Sequence, residues 1–216
     1  VKFIPETTKR IIEPFAGTGA VSIFAAYQGI CETFILNDIN EPLIQMLELC
    51  IEDPTLLVKQ YSEIWQGQFA EHENNIDYFL KIRSEFNKGK CDAGRMLFLL
   101  ARVVKGAVRY NAHGQMNQSC DKRRYGTKPN VIEYNAFRIS ELLKGKTMFY
   151  SMDYKDLLDI AEKGDLVYLD PPYQGTSNKE NTRDNRYIQG VQFEEFVGVL
   201  EKLSEKGIDY IVSYDG

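Results

Sequence analysis

The chain has 216 residues, 44% of them hydrophobic and 26% charged, and its 26 basic and 31 acidic side chains leave a net charge of −5. That describes an ordinary folded protein with a real core and excludes disordered and collagen-like classes. Two histidines, four scattered cysteines (Cys31, Cys50, Cys91, Cys120) without a C-x-x-C pair, and no apolar run of membrane length exclude a Cys/His metal centre, a disulfide framework and a transmembrane anchor. Reduced thiols and a cytoplasmic location are the expectation, since nothing at the N-terminus reads as a signal peptide.

The first predicted element is a short buried strand over 11–15, Ile11-Ile12-Glu13-Pro14-Phe15. It enters a Gly-rich turn, Ala16-Gly17-Thr18-Gly19-Ala20, and then a helix over 18–28 with apolar residues at helical spacing. Glycines at such a turn let the backbone approach a ligand, and the helix N-terminus presents free N–H groups. A second strand over 33–37 ends at Asp38, about 20 residues beyond the turn, where nucleotide-binding α/β folds hydrogen-bond ribose hydroxyls. A helix-capping aspartate is the competing reading. G-T-G lacks the third glycine of a dinucleotide fingerprint, and no G-K-[ST] follows as a P-loop requires. A ligand carrying adenosine without a pyrophosphate suits this turn, and S-adenosylmethionine is that ligand. Glu13 is placed to face its methionine ammonium, whose charge favours an ionised acid. Phe15 either lines the pocket or is the last core residue of its strand.

A helix over 41–51, with Asn40 as its cap, completes the opening of a doubly wound α/β unit. The pattern then changes to three helices, 54–66, 73–88 and 91–107, with no strand between them. Phe79, Ile82, Phe86, Met96, Leu99 and Trp65 are read as core. Residues 109–130 are polar, basic and Gly- and Asn-containing, a loop or irregular hairpin. From Arg95 to Lys128 there are eight basic residues and one acid, Asp121, so this stretch is +7 and the remainder −12. Such asymmetry is the footprint of a nucleic-acid face; a solvated basic patch is the bland alternative. Lys105, Arg109, Asn111, Lys122, Arg123, Arg124, Tyr125 and Lys128 are the contact candidates. Arg grips guanine bidentately, Asn grips adenine, and Lys more often holds phosphate. Tyr110 or Tyr125 would wedge into a disrupted base stack, or simply pack.

Next come a helix over 134–143, entered at Asn130 or just after Pro129, a strand over 147–151 leading to Asp153, and a strand over 165–169 leading to Asp170. Both carboxylates lie at the carboxyl ends of strands, the ligand-binding edge of doubly wound sheets. Asp170-Pro171-Pro172-Tyr173 suits chemistry on an exocyclic amine, whose lone pair is delocalised into its ring. The Asp170 carboxylate accepts one N–H and the Pro171 carbonyl the other, favouring a pyramidal nitrogen with its lone pair free. Pro172 stiffens the turn, and Tyr173 offers a face on which a flipped base stacks. Taken alone, the same four residues are equally a strand-ending turn. Polar residues 174–189 suggest a flap, a helix over 193–206 ends at Gly207, and a strand over 208–213 follows. No cysteine follows a proline, so the Pro-Cys nucleophile of cytosine-C5 methyltransferases is absent, and direct transfer without a covalent intermediate is the expectation.

EPFAGTGA, LNDIN, SMDY and DPPY, in this order, together with VRYNAHGQMN and RRYG, resemble the Dam-type (D12 class) DNA adenine-N6 methyltransferases over essentially the whole chain. The resemblance implies an S-adenosylmethionine-dependent enzyme that flips an adenine out of duplex DNA and methylates its N6. It implies a Rossmann-like methyltransferase sheet, residues 1–53 and 146–216, with a mainly helical target-recognition domain inserted at 54–145. Glu13, Pro14, Phe15, Gly17, Thr18, Gly19, Ala20, Asp38, Asp153, Tyr154 and Asp170 would hold the cofactor, Asp153 contacting its adenine amine, although by sequence alone Asp153 equally caps the turn into Lys155-Asp156-Leu157-Leu158. Asp170, Pro171, Pro172 and Tyr173 would be catalytic, with no metal. Double-stranded DNA is the implied partner of a monomer, with a restriction endonuclease beside it if the chain serves a restriction-modification system. The family's Lys-bearing G-G-K-like opening and its later strands lack counterparts here, so a fragment cut at both ends is expected. Methylation of RNA adenine, cytosine N4 or protein glutamine, or an inactive DNA-binding remnant, are the competing readings.

Overall fold

The computed structural model describes residues 3–70, 74–103, 109–171 and 191–213. These residues divide into two compact units, one of 3–44, 142–171 and 191–213 and the other of 45–70, 74–103 and 109–141.

The first unit is built on a five-stranded, wholly parallel sheet. Its strands are β1 (Arg10–Glu13), β2 (Thr33–Asn37), β3 (Thr147–Tyr150), β4 (Asp165–Leu169) and β5 (Asp209–Val212), in the order β3-β2-β1-β4-β5. The three central strands read as near-continuous apolar runs because both of their faces are covered, the usual state of a parallel sheet. Ile12, Ile35, Val167 and Leu169 form one core with Leu157, Leu158, Phe196, Val199 and Leu203. Its helices are α1 (Ala20–Tyr27), α7 (Tyr154–Leu158) and α8 (Phe193–Glu205). The expected strands 33–37 and 165–169 coincide with β2 and β4. Helix α7 was not anticipated as a helix. It forms because Asp153 accepts the Lys155 N–H at 2.9 Å and so caps its first turn. At the amino end of the sheet Arg10 grips Asp165 with two bonds, of 3.0 and 2.6 Å, fastening β1 to β4.

The second unit holds α3 (Pro54–Gly67), α4 (Asn75–Asn87) and α5 (Ala93–Arg102). Helix α2 (Glu41–Glu52) leads into it and α6 (Pro129–Leu143) leads out. Asp53, Asn74 and Asp92 each cap a helix with a side-chain oxygen. Tyr61, Phe79, Met96, Phe98 and Leu99 are fully buried between the helices. At Gly94 an added Cβ would lie 2.5 Å from the Gln60 Cβ, so glycine is what lets α3 and α5 approach so closely. Two helix bounds depart from expectation by more than two residues. Helix α5 stops at Arg102 rather than running to 107, because Val103 turns extended and bridges to Cys120. Helix α6 begins at Pro129, well before 134; proline lacks the N–H that a first turn leaves unused.

Candidate active site

From β1 the chain proceeds outward to β2 and β3 on one side, then returns to lay β4 and β5 on the other. The strand order therefore reverses between β1 and β4. In open α/β sheets the crevice beyond the carboxyl ends at such a reversal is where ligands bind. Ile12 pairs with Val167, so Pro14-Phe15 and Leu169-Asp170 leave the sheet side by side. The topology thus brings together the Gly-rich turn and the carboxylate of the D-P-P-Y motif, which lie more than 150 positions apart in the chain.

The turn itself is tightly tied. Gly17 and Gly19 adopt left-handed φ values of 53° and 68°, open to glycine but strained for other residues. The Gly17 N–H donates to Asp38 Oδ2 at 3.1 Å, and the Asn40 N–H donates to Asp38 Oδ1 at 2.9 Å. An added Cβ at Gly17 would meet nothing within 4 Å, so the turn faces open space there. Burial pushes the Asp38 carboxyl above its ordinary value, and the two N–H donors oppose that shift.

Glu13 is almost fully buried and accepts the Ser22 N–H at 2.7 Å, occupying the N-terminus of α1 that no capping side chain of Gly19 could serve. Burial pushes its carboxyl upward, and the negative charge of Asp170 adds to the shift. The expectation that Glu13 faces a ligand ammonium thus meets a carboxylate already employed as an internal helix cap. Pro14 is buried, Thr18 is exposed, and Ala20 opens α1.

Sequence reasoning missed the residue that knits this region together. Asn37, with no exposed surface, donates through Nδ2 to the Pro14 carbonyl (2.9 Å) and the Met152 carbonyl (3.1 Å) and accepts the Met152 N–H at Oδ1 (3.0 Å). Its own carbonyl accepts the Ala16 N–H at 2.8 Å, and the adjacent Asp38 carbonyl accepts Ser151 Oγ at 2.9 Å. One residue thereby fastens the loops that leave β1, β2 and β3. The available signal was a polar residue ending an otherwise apolar strand.

Asp153 has its Oδ1 on the Lys155 N–H, the capping alternative to a ligand contact. The Tyr154 ring is buried, 5.0 Å from Phe15 and 6.3 Å from Phe196. Phe15 is therefore packed through that ring into the core margin while remaining partly accessible. Asp170 is exposed just beyond β4 and Pro171 is buried. Pro172, Tyr173 and Lys105 lie outside the described residues, as does the proposed flap.

In the second unit, the basic stretch carries less surface charge than its sequence implies. Arg102 is fully buried, donating to the carbonyls of Arg124 and of Asn75 (3.4 Å). Arg95 is paired with Glu85 and Asp92, and Arg124 with Asp121 at 3.2 Å. Lys122, Arg123, Arg124, Tyr125 and Lys128 are exposed, and Arg109 is partly so. Asn111 Oδ1 accepts the His113 and Gln115 N–H groups at 2.9 and 3.0 Å, holding a turn closed by the Tyr110–Met116 bridge. Reading adenine bidentately would require it to give up that turn. Tyr110 is buried, which favours packing over wedging. Although nearly devoid of regular structure, this stretch is held by helix side chains. Asn87 bonds both the N–H and the carbonyl of Met116 (2.9 Å each), Arg83 the Gln118 carbonyl, Gln68 the Tyr125 carbonyl (3.1 Å) and Tyr61 the Thr127 carbonyl.

Among the described residues no group of His, Cys, Asp and Glu could hold a metal ion, and no helix is long and apolar enough to cross a membrane. The sequence profile of the D12 class N6 adenine-specific DNA methyltransferases matches residues 1–215. The chain is 31% identical, over its whole length, to 28% of the "DNA N-6-adenine-methyltransferase" of Escherichia phage P1. Similarity at 29% identity joins 77% of the chain to 59% of "Type II methyltransferase M.MjaIII" of Methanocaldococcus jannaschii. At 26% identity, 94% of it matches 70% of the "DNA adenine methylase" of Escherichia coli strain K12. The chain thus spans about a quarter to under two thirds of the first two of these relatives.

Proposed function

Because the chain belongs to the D12 class N6 adenine-specific DNA methyltransferases, we propose that it methylates N6 of an adenine flipped out of duplex DNA, with S-adenosylmethionine as donor. The observation that carries this reading is the strand-order reversal between β1 and β4, which sets the Gly17–Gly19 turn beside Asp170. The residues at the crevice fit the cofactor. The open space at Gly17 leaves room for a ligand at the backbone, and Asp38, just past β2, would reach ribose hydroxyls through the lone pairs that its bonds to the Gly17 and Asn40 N–H groups leave free. When bound, S-adenosylmethionine supplies an electrophilic methyl group on a sulfonium.

The chain's own residues do the rest. Asp170, exposed at the crevice, accepts one N–H of the target amine, and the Pro171 carbonyl accepts the other. Both contacts strengthen as the nitrogen gains positive charge, so they act in the transition state rather than in binding. Asp153 would accept the cofactor's adenine amine through the carboxylate oxygen not used in capping α7, and Phe15, partly accessible, would line the same pocket. In the second unit Lys122, Arg123 and Lys128 hold phosphates, which dominate affinity, while Arg109 is the candidate base reader. The 109–128 stretch acts as the target-recognition surface, and the similarity to type II methyltransferases extends the proposal to a paired restriction endonuclease.

The test is incubation of the chain with methyl-labelled S-adenosylmethionine and duplex DNA, followed by nucleoside analysis. N6-methyladenine is the expected product. Label in cytosine, RNA or protein, or none in any of these, removes the proposal.

A further inference from the structure

The second unit carries an aromatic ledge that the chemistry above leaves unused. The rings of Trp65 and Phe69 lie 4.8 Å apart, and those of Phe69 and Tyr125 lie 5.1 Å apart at an interplanar angle of 33°. Phe69 is 51% exposed and Tyr125 44%. Exposed apolar side chains are ordinary one at a time, but these two rings adjoin and share one face, and a contiguous exposed patch is the form that an interaction surface takes.

The ledge is also held in place from beneath. Gln68, buried, donates to the Tyr125 carbonyl, while the buried Arg102 guanidinium sits 5.7 Å from the Tyr125 ring centroid and bonds the preceding carbonyl of Arg124. A ring fixed in this way loses little freedom when something stacks on it. The three residues before Tyr125 are Lys122, Arg123 and Arg124, all exposed, and Asp121 beside them is engaged with Arg124. A flat aromatic surface bordered by cations matches a nucleotide, whose base has a π-face and whose phosphate is an anion.

We propose that Phe69 and Tyr125 form a stacking ledge for an unpaired or unstacked base of the DNA substrate, with the neighbouring phosphates held by Lys122 and Arg123. This rests on the reading of the chain as a DNA enzyme and adds Phe69 to the recognition surface. Phe69 is too exposed for its truncation to disturb the fold, so the test uses Phe69→Ala and Phe69→Tyr with duplex DNA titrated at several salt concentrations. Phe69→Ala should weaken DNA binding roughly 5- to 10-fold, the lower range of base–aromatic stacking, because Tyr125 remains. Its log–log salt slope should match that of wild type, since no phosphate contact is lost. Phe69→Tyr should restore affinity, and binding of S-adenosylmethionine should not change in either variant. Unchanged affinity in Phe69→Ala, with wild type binding and methylating DNA, overturns the ledge alone. So does a loss of self-association on sedimentation without a loss of DNA binding, which would assign the patch to a second copy of the chain. Wild type that binds no duplex at any salt concentration overturns the ledge together with the DNA reading.

Discussion

Replacing Asn37 tests whether one buried amide holds the candidate cofactor loops together. In Asn37→Ala, three partners lose their bonds: the buried Pro14 carbonyl and the partly buried Met152 carbonyl and N–H. At about 1–3 kcal/mol for each buried group left unsatisfied, and with some rehydration of the space created, the loss should be about 3–5 kcal/mol. Asn37→Asp keeps nearly the same shape and the acceptor for Met152 N–H, but sets a carboxylate oxygen against two carbonyl oxygens 2.9 and 3.1 Å away. That carboxyl can replace the amide only by carrying a proton, so its folded-state pKa must lie above the unfolded value of about 3.9. A raised carboxyl contributes stability that is present below the unfolded value and lost as pH rises through the folded one. The gap between Asn37→Asp and wild type should therefore widen from pH 4 to pH 8, whereas the Asn37→Ala gap stays level. Urea unfolding followed by circular dichroism at each pH measures both gaps, and titration with S-adenosylmethionine at pH 7.5 should show weakened binding in both variants. A pH-independent gap for Asn37→Asp, or a loss below about 1 kcal/mol for Asn37→Ala, would refute the role assigned to this residue.

Asp170→Asn should lower single-turnover methyl transfer by about 10²-fold or more while DNA affinity stays within twofold, since phosphates dominate binding; near-wild-type transfer would remove Asp170 from the chemistry. Glu13→Gln keeps an acceptor for the Ser22 N–H but removes a carboxyl that burial holds above its ordinary value of 4.5. By the same sign rule the variant should gain stability relative to wild type as pH rises from 4 to 7, and a level difference in melting temperature would count against a charged, buried Glu13. Neutralising Lys122, Arg123 and Arg124 together should lower the log–log salt slope of DNA binding by about 2–3, at about 0.9 per phosphate contact, the lower figure applying if the Arg124–Asp121 pair already withholds one charge. An unchanged slope would leave these residues as a solvated surface.

What was legible in the sequence was what is local in the chain. β2 and β4 could be bounded because each carries an apolar stretch, 34–36 and 166–169, with a carboxylate just beyond the strand, and the Gly17–Gly19 turn announces itself by composition. Helix ends were less legible where neighbours in space decide them: α5 stops because Val103 finds Cys120, a partner seventeen residues on. Asn37 escaped notice because a polar residue closing a strand reads as solvent-facing, whereas its partners come from two other loops. Arg102 misled in the opposite direction. Counted as surface charge, it is a buried clamp on the backbone of the very stretch whose charge it was taken to supply. Composition records how much charge a segment has, but not which of its cations the fold keeps for itself.

The Ser140–Ile51 hydrogen bond bears on how the chain assembles. Pairing Arg10 with Asp165 closes a loop of 155 residues, the largest entropic demand in forming the sheet. Ser140 Oγ reaches the Ile51 carbonyl at 2.6 Å and short-circuits 89 of those positions. If that clasp forms first, the effective loop falls to about 66 residues and its closure becomes easier by roughly 0.8 kcal/mol, about a fourfold gain in the probability of encounter between β1 and β4. Because the dependence is logarithmic, even doubling the length of the spliced-in helical segment would hinder sheet closure very little so long as its two ends stay clasped. The joint at Ser140 and Ile51 is thus a splice point that tolerates growth: the helical segment between them is free to diversify in size without disturbing the register of the strands.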